Sequence, residues 1–471
     1  MSEYIAGRDS EKQILLDALS SSRSELIAVY GRRRIGKTYL IREYYAKQTI
    51  FSFTGLSSGT KKDQIKNFFL KLNEYSKEFN NQKQPKDWLE AFVLLKIYLK
   101  KKKVGKRKKV IFIDEFPWID SHKSGFLAAF ENFWNDYCTT RKDLIVVICG
   151  SAASYMIKKI INNSKGLSKR ITQTIKLKPF NLKETKAFFK FKGVKMEEYE
   201  ILKVYMAMGG VAEYLEHIRN DDSAVTAIDR LCFSSSAYLK NEYDEVFKSL
   251  FSENSFHQKI MDLLANSPKR GLTRKEILLK LKISSGGKFS AALDELIQSG
   301  FLLKYSAYKD NTRSTLYRIY DEYCLFYLQF IKNNKGTKWT HLFQKQEYKT
   351  WCGFAFETIC LKHVEAVKKA LNCEQIESKN YAWYNASSQI DLVIDRADGV
   401  VNLCEIKFYN DEFSIDADIL KQLRGKESQF RISTKTKKSV FTIMLSTWGV
   451  ITNQYSKAII SKSVSLSSLF L

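Results

Sequence analysis

A short glycine-rich segment carries the residue types that bind phosphate groups. In order along the chain, its residues are Gly31, Arg32, Arg33, Arg34, Ile35, Gly36, Lys37 and Thr38. Glycines let backbone N–H groups converge on phosphate oxygens where a strand ends and a helix begins. An apolar run at 26–30 precedes the segment, and a helical pattern starts near Lys37. The sequence therefore predicts a P-loop in which Lys37 contacts the β and γ phosphates of ATP and Thr38 holds Mg²⁺.

Two adjacent carboxylates follow a second apolar run. Asp114 and Glu115 come directly after residues 110–113. Four consecutive apolar residues predict a strand that is covered on both faces, and the carboxyl ends of such strands are where α/β proteins bind ligands. There Asp114 would bind Mg²⁺ through water, and Glu115 would polarise the attacking water. The alternative is an ordinary strand followed by a helix N-cap.

A hydroxyl group is predicted at the same edge of the sheet. The apolar run 144–149 ends in Gly150 and Ser151. Because the carboxyl ends of parallel strands share one edge, Ser151 would lie beside the phosphates. We expect it to orient the water or the γ-phosphate.

Two strand patterns near the C-terminus carry a second set of charged side chains. They span 389–395 and 402–408 and flank an Ala-Asp-Gly sequence, which is a signal for a hairpin turn. Positions 391 and 405 are symmetric about this turn, so Asp391 should lie close to Glu405, and Lys407 shares the face of Glu405. The carboxylates would hold Mg²⁺, and the lysine would orient water or stabilise a pentavalent phosphate. The alternative is a salt-bridged hairpin without catalysis.

The hairpin pattern resembles the core of the PD-(D/E)xK nucleases. The resemblance makes Asp391 the acidic residue of the motif and residues 405–407 its ExK element. It also makes Glu357 the upstream acid, in a helix predicted at 354–370. Glu357, Asp391 and Glu405 would then bind the metal together.

The elements that position these residues suggest four domains. From 9 to 175, helical patterns alternate with short apolar runs, which predicts an α/β domain with a parallel sheet. Strand signals are absent from 180 to 250, and from 254 to 320 three helices precede two short strands around a turn at 309–311, an order typical of a winged helix-turn-helix. The predicted domains are a P-loop core at 1–178, a helical lid at 179–250, a winged helix at 251–322 and an α/β endonuclease-like domain at 323–471.

Further motifs link this organisation to a known family. They are Gly7-Arg8, the P-loop and the segments 112–116, 149–151, 177–180 and 209–211. With these motifs, residues 1 to about 335 resemble the archaeal-type ATPase family, a STAND-like branch of the AAA proteins. Ala212 departs from the proline that the family usually has at that position. The resemblance implies an AAA-type parallel sheet and makes Arg170, directly before the run 171–177, an arginine finger that acts in cis or across an interface. The alternative for Arg170 is a surface position.

Composition limits the partners and the location. The 77 Lys and Arg residues exceed the 51 Asp and Glu residues, for a formal charge of +26, which favours polyanionic partners. We expect nucleic acid, with DNA favoured over RNA, and a homo-oligomer is compatible with the family. The eight cysteines form no CxxC pair, which fits a reducing cytosol. No signal peptide is recognised, and no apolar run reaches the roughly 18 residues of a membrane helix, so we expect a cytoplasmic protein without a membrane partner.

These observations lead to two functional hypotheses. The first is an ATP-hydrolysing switch that acts on nucleic acid and has nuclease activity in its C-terminal domain. The alternative is an ATP-dependent signalling or scaffold protein whose nuclease-like domain is catalytically inactive.

Overall fold

The computed structural model describes residues 5–102, 104, 107–163, 166–251, 255–267, 271–308, 315–334, 336–385 and 387–471. The chain divides into two units, Met1–Pro179 and Phe180–Leu471. The finer division of the second unit into lid, winged helix and endonuclease-like domain stays a prediction.

A five-stranded sheet forms the centre of the first unit. Its strands are β1 (Glu25–Tyr30), β2 (Thr49–Thr54), β3 (Lys109–Asp114), β4 (Leu144–Gly150) and β5 (Gln173–Lys176). They lie in the order β2-β3-β4-β1-β5, and all neighbouring pairs are parallel. Every residue of β1 and β4 is buried, as the continuous apolar runs predict for central strands. The predicted α/β fold with a parallel sheet is confirmed.

Helices connect these strands. They are α1 (Asp9–Ser20), α2 (Lys37–Tyr44), α3 (Lys61–Tyr75), α4 (Trp88–Lys100), α5 (Phe116–Ile119), α6 (Phe126–Asp136) and α7 (Ala153–Tyr155). Aromatic side chains pack α3 on β2, where the ring of Phe68 lies 5.5 Å from that of Phe51. They also pack α4 on α6, where the rings of Phe92 and Phe133 are 5.0 Å apart. This aromatic core holds the sheet rigid beneath the edge where the predicted nucleotide residues lie.

The first part of the second unit is helical. Its helices are α8 (Leu182–Lys192), α9 (Glu198–Met208), α10 (Ala212–Glu216), α11 (Ala224–Ile228), α12 (Glu242–Leu250), α13 (Ser255–Ala265), α14 (Arg274–Leu281) and α15 (Gly287–Gln298). A three-stranded antiparallel sheet joins the last three helices. Its order is β6-β8-β7, with β6 at Leu272–Thr273, β7 at Leu302–Ser306 and β8 at Thr315–Ile319. The turn predicted at 309–311 lies outside the described residues.

A mixed five-stranded sheet forms the C-terminal part of this unit. Its strands are β9 (Ser378–Tyr384), β10 (Gln389–Arg396), β11 (Val400–Lys407), β12 (Ser439–Ser446) and β13 (Ile460–Ser465). The order is β13-β12-β11-β10-β9; β9, β10 and β11 are antiparallel, and β11, β12 and β13 are parallel. The helices in this part are α16 (Glu322–Phe326), α17 (Trp339–Leu342), α18 (Gln346–Lys362), α19 (Val364–Ala370), α20 (Ala417–Thr434) and α21 (Gln454–Lys457).

Two predicted elements differ from the structure. The single helix expected at 354–370 is two helices, because the chain breaks between α18 and α19 at His363. The His363 ring contacts Ile359 O at 2.8 Å and accepts a hydrogen bond from Leu182 N at 3.0 Å, and burial lowers its pKa to about 4. The strand expected from the run 171–177 is shorter, because β5 spans only Gln173–Lys176.

Within the described residues, no helix combines the length and the apolar character that crossing a bilayer requires.

Candidate nucleotide and metal sites

The predicted P-loop links β1 to α2 in a conformation that depends on its glycines. Gly31 approaches the backbone so closely that a Cβ atom there would lie 2.2 Å from Leu177 O. Gly36 precedes α2 with a φ of 88°, in the left-handed region that favours glycine. The loop therefore curls at the N-terminus of α2, where helix N–H groups face an anion.

Lys37 lies inside this loop. Its ammonium group donates a hydrogen bond of 2.8 Å to Arg32 O, and the side chain is buried. Burial lowers the pKa of Lys37, while the carboxylates of Glu115 and Asp114 oppose that shift. The loop thus holds a cation at its centre, bonded to the carbonyl of Arg32.

Thr38 and Asp114 meet although 76 residues separate them in the chain. The hydroxyl of Thr38 donates a hydrogen bond of 2.8 Å to Asp114 Oδ2. This contact arises because β4 alone separates β1 from β3 in the sheet. A buried carboxylate and a hydroxyl in contact are two oxygen ligands of the kind that Mg²⁺ prefers.

Glu115 and Ser151 form a second contact across the edge of the sheet. Ser151 Oγ donates a hydrogen bond of 2.7 Å to Glu115 Oε1, and Ser151 N lies 3.4 Å from Oε2. Glu115 has a φ of 48°, which is strained for a residue with a side chain. The strained backbone and the serine together fix the direction of the carboxylate.

Arg170 is not brought to these residues in the single chain. It is exposed and follows the 3₁₀-helix Gly166–Lys169. Sequence reasoning gave Arg8 no role, but this side chain stabilises the P-loop through hydrogen bonds to its backbone and to the segment after β5. It is buried and donates hydrogen bonds to Lys178 O at 2.7 Å and to Ile35 O at 3.2 Å. The motif Gly7-Arg8, recognised only as a family feature, was the signal for it.

In the second unit, the hairpin brings Asp391 and Glu405 together. The register pairs Leu392 with Cys404, so Asp391 faces Glu405 one position further along. Asp391 Oδ2 accepts a hydrogen bond of 3.0 Å from Ile406 N. Burial, followed by the charges of Glu357 and Glu405, raises the pKa of Asp391 to about 8. Asp391 therefore lies close enough to Glu357 and to Glu405 for their charges to disfavour its ionised form.

Two lysines hold Glu405. Its carboxylate lies 2.9 Å from Lys407 Nζ and 2.6 Å from Lys426 Nζ. Burial alone would raise the pKa of Glu405, but these two ammonium groups lower it below its ordinary value. Sequence reasoning missed Lys426, which lies on α20 and reaches Glu405 only through the packing of that helix on the sheet. The pKa of Lys407 is raised because the pull of Glu405, with smaller contributions from Asp391 and Tyr409, exceeds the effect of burial.

Glu357 on α18 has a different partner. Arg318 NH1 from β8 donates a hydrogen bond of 2.6 Å to Glu357 Oε1, and both side chains are buried. Arg318 NH2 bonds Thr358 Oγ1 at 2.8 Å, and the guanidinium lies 4.7 Å from the centre of the Phe354 ring. In the part of the chain that the structure describes, no three His, Cys, Asp or Glu side chains have the geometry to hold a metal ion. Of the three predicted ligands, Glu357 is paired with Arg318, and Glu405 is paired with two lysines.

Comparison with known proteins agrees with the fold and with an ATPase domain. Residues 6–218 match the model of a family described as an ATPase domain predominantly from Archaea, and residues 320–420 match one described as archaeal and bacterial proteins of unknown function. An uncharacterized protein of Methanocaldococcus jannaschii is 25% identical over 403 residues, which cover 82% of this chain and 83% of the relative.

Two solved structures are similar. A Walker-type ATPase of Pyrococcus abyssi aligns with a TM-score of 0.50 at 18% identity, over 70% of this chain and 97% of that chain. The ORC2 protein of Aeropyrum pernix aligns with a TM-score of 0.39 at 17% identity, over 70% of this chain and 95% of that chain. The first likeness shows a shared fold.

The parallel sheet and its phosphate loop define a P-loop ATPase. Residues 6–218 of this ATPase are similar to the predominantly archaeal ATPase family, and residues 320–420 are similar to a second family of unknown function.

Proposed function

We propose that this ATPase is a nucleotide switch that acts on nucleic acid and that its C-terminal sheet cleaves phosphodiester bonds with the help of a divalent metal ion. The observation that carries the nucleic-acid part is the position of Asp391 opposite Glu405, with Lys407 on the same strand as Glu405. Two carboxylates beside a lysine are suited to binding a metal ion and a phosphate group together. The formal charge of +26 supports a polyanionic substrate.

The first site supports ATP hydrolysis with roles for named residues. The loop amides and Lys37 would bind the phosphates, and Thr38 and Asp114 would hold Mg²⁺. Magnesium bound there would neutralise charge on the phosphates. Glu115 would take the proton of the attacking water, and Ser151 would keep its carboxylate in place. The contact between Thr38 and Asp114 supports this assignment, because both oxygens lie within reach of one ion.

Two variants test these roles. Lys37→Ala should abolish nucleotide affinity in calorimetry with magnesium, and Glu115→Gln should bind ATP but stop its turnover. Glu74→Gln is the matched control, because Glu74 is a surface residue of the same unit, with 63% of its side chain exposed. A Glu115→Gln protein that hydrolyses ATP at the rate of the control would refute the role of Glu115 as base.

The second site supports metal-dependent cleavage. Asp391 and Glu405 would hold the ion, and Lys407 would orient water or stabilise the pentavalent phosphate. Asp391 lies on β10 and Glu405 and Lys407 lie on the neighbouring strand β11, which supports this proposal. Glu357 would be a further ligand only after leaving Arg318.

A second function is favoured by the pairing of the acids. Glu405 is already neutralised by two lysines and Glu357 by Arg318, so a metal ion would have to displace at least one of these contacts. An inactive nuclease-like domain that serves a signalling or scaffold role would keep such pairs permanently. The two functions differ in whether metal and substrate can break the pairs.

A cleavage assay separates the two functions. Wild type is compared with Asp391→Asn on DNA and on RNA, with Mg²⁺ or Mn²⁺ and with or without ATP. Asp395→Asn is the matched control, because Asp395 lies four residues away on β10 and pairs with Lys438 instead. Cleavage that Asp391→Asn alone removes supports the nuclease. Equal cleavage by both variants means that the assigned site is wrong, and absence of cleavage by wild type under all conditions favours the scaffold.

A further inference from the structure

Two exposed aromatic side chains follow strand β11, which carries Glu405 and Lys407, and its neighbour β12. Tyr409 is 49% exposed and Trp448 is 45% exposed. Aromatic side chains grouped on a surface can mark a binding site, because each ring offers a large apolar face beside a polar edge. We call Tyr409 and Trp448 the aromatic platform.

The platform lies at the same edge of the sheet as the charged residues. Parallel pairing places Lys407, at the end of β11, beside Ser446, at the end of β12. Tyr409 is two residues beyond Lys407, and Trp448 is two residues beyond Ser446. The two loops are joined, because Tyr409 N donates a hydrogen bond of 2.9 Å to Thr447 Oγ1, which in turn donates to Tyr409 O. A chain bound on the platform would therefore run next to Lys407.

The ring of Trp448 packs against another aromatic ring. It contacts the ring of Tyr199 on α9, with centroids 5.1 Å apart. Tyr199 is itself fixed, because its ring stacks on Phe408 at 5.9 Å and its hydroxyl donates a hydrogen bond of 2.7 Å to Asn410 Oδ1. Such support reduces the entropy that a ligand would lose by ordering the ring.

Tyr409 and the nearby cations complete the surface. The Tyr409 ring packs edge-on against Phe413, with centroids 4.9 Å apart and an angle of 70° between planes. Lys203, which also pairs with Glu200 at 2.6 Å, lies 4.4 Å from the centre of the Tyr199 ring, and Lys407, the partner of Glu405, has 40% of its side chain exposed. Supported aromatic rings with ammonium groups beside them match the combination of base stacking and phosphate attraction that single strands require.

We propose that the aromatic platform binds single-stranded nucleic acid by stacking on its bases and places the adjoining phosphate beside Lys407. This inference rests on the proposed phosphodiester cleavage and names its substrate as a single strand. A duplex does not fit the platform, because its bases are stacked on each other and their faces are unavailable. Every base has a face that can stack, so DNA and RNA single strands share the relevant chemistry.

Binding is measured with the full chain in EDTA at low salt, so that no cleavage occurs. The probes are a fluorescently labelled 20-nucleotide DNA strand, an RNA strand of the same sequence and the corresponding DNA duplex, each followed by anisotropy. Tyr409→Ala and Trp448→Ala are compared with Trp448→Phe, which keeps a stacking ring. Phe441→Ala is the matched control, because Phe441 is 42% exposed on β12 but lies five residues before the strand end.

We expect each alanine variant to weaken binding of the single strands by about 5- to 150-fold, the range for loss of one stacked base, with little change for the duplex. Trp448→Phe should retain most of the affinity, and Phe441→Ala all of it. The DNA and RNA arms show which strand is preferred. Unchanged affinity in both alanine variants, an equal loss for duplex and single strand, or no binding of single strands by wild type overturns the inference.

The outcome is separable from that of the proposed cleavage. Asp395→Asn should bind single strands as wild type does, because Asp395 pairs with Lys438 and has no role in the candidate metal site. A platform effect without cleavage by wild type leaves this inference standing and removes the nuclease. Metal-dependent cleavage without a platform effect removes this inference alone.

Discussion

Replacing Arg318 by methionine tests whether a cation brought from β8 supports the acid on α18. Arg318 retains 2% and Glu357 5% of side-chain exposure, so the pair has almost no access to water. Arg318→Met keeps an apolar chain of similar length but leaves the Glu357 carboxylate buried without its partner. Breaking a buried ion pair from one side costs about 3–5 kcal/mol, which is the loss that we expect in the free energy of unfolding.

The loss has to be measured at α18 itself, because a chain with two units need not unfold in one step. Hydrogen exchange of the amides in α18 under native conditions reports the stability of this region. The double variant Arg318→Met with Glu357→Gln removes the buried charge as well, and it should recover most of the loss. A double-mutant cycle then gives the coupling between the two residues.

A surface pair in the same unit is the control. Lys186 lies 2.7 Å from Glu198, with 53% of the lysine side chain exposed, and Lys186→Met should cost less than about 1 kcal/mol. A loss below about 1 kcal/mol for Arg318→Met, or a double variant no more stable than Arg318→Met, would show that burial does not make this pair important.

Three further outcomes are expected. Ser151→Ala removes a hydrogen bond to the charged carboxylate of Glu115, so ATP turnover should fall by about 10- to 150-fold while ATP affinity in calorimetry stays the same; an unchanged rate would contradict this role. Burial and neighbouring carboxylates raise the pKa of Asp391 to about 8, so the folded metal-free protein retains a proton that the unfolded chain releases near pH 4. The free energy of unfolding should therefore fall as the pH rises from about 4 to about 8, and Asp391→Asn should flatten this dependence in urea unfolding; the same slope in both proteins would contradict it. Lys426→Met frees one oxygen of Glu405 and should tighten Mn²⁺ binding in calorimetry, whereas weaker binding would show that the lysine does not compete with the ion.

Much of the first site follows from local patterns. The P-loop at 31–38 and the strand before Asp114 were recognised because apolar runs and glycine spacing are properties of neighbouring residues. The structure places the predicted residues of this site at one edge of the sheet, except Arg170, which is exposed. In the hairpin, simple symmetry about the turn predicted the approach of Asp391 to Glu405, because register follows from turn position.

The sequence by itself thus determined the parallel α/β core, the phosphate loop and the hairpin that carries two carboxylates. Only the tertiary structure decided which distant side chains contact the three acids. Ser151 bonds Glu115, Lys426 pairs with Glu405, and Arg318 pairs with Glu357. The tertiary structure also showed that the helix predicted at 354–370 is two helices that meet at His363, whose ring accepts a hydrogen bond from Leu182, 181 residues away in the chain. The physical reason is the separation along the chain. Periodicity and turn signals involve residues a few positions apart, whereas these contacts depend on strand order and helix packing, which no local pattern contains.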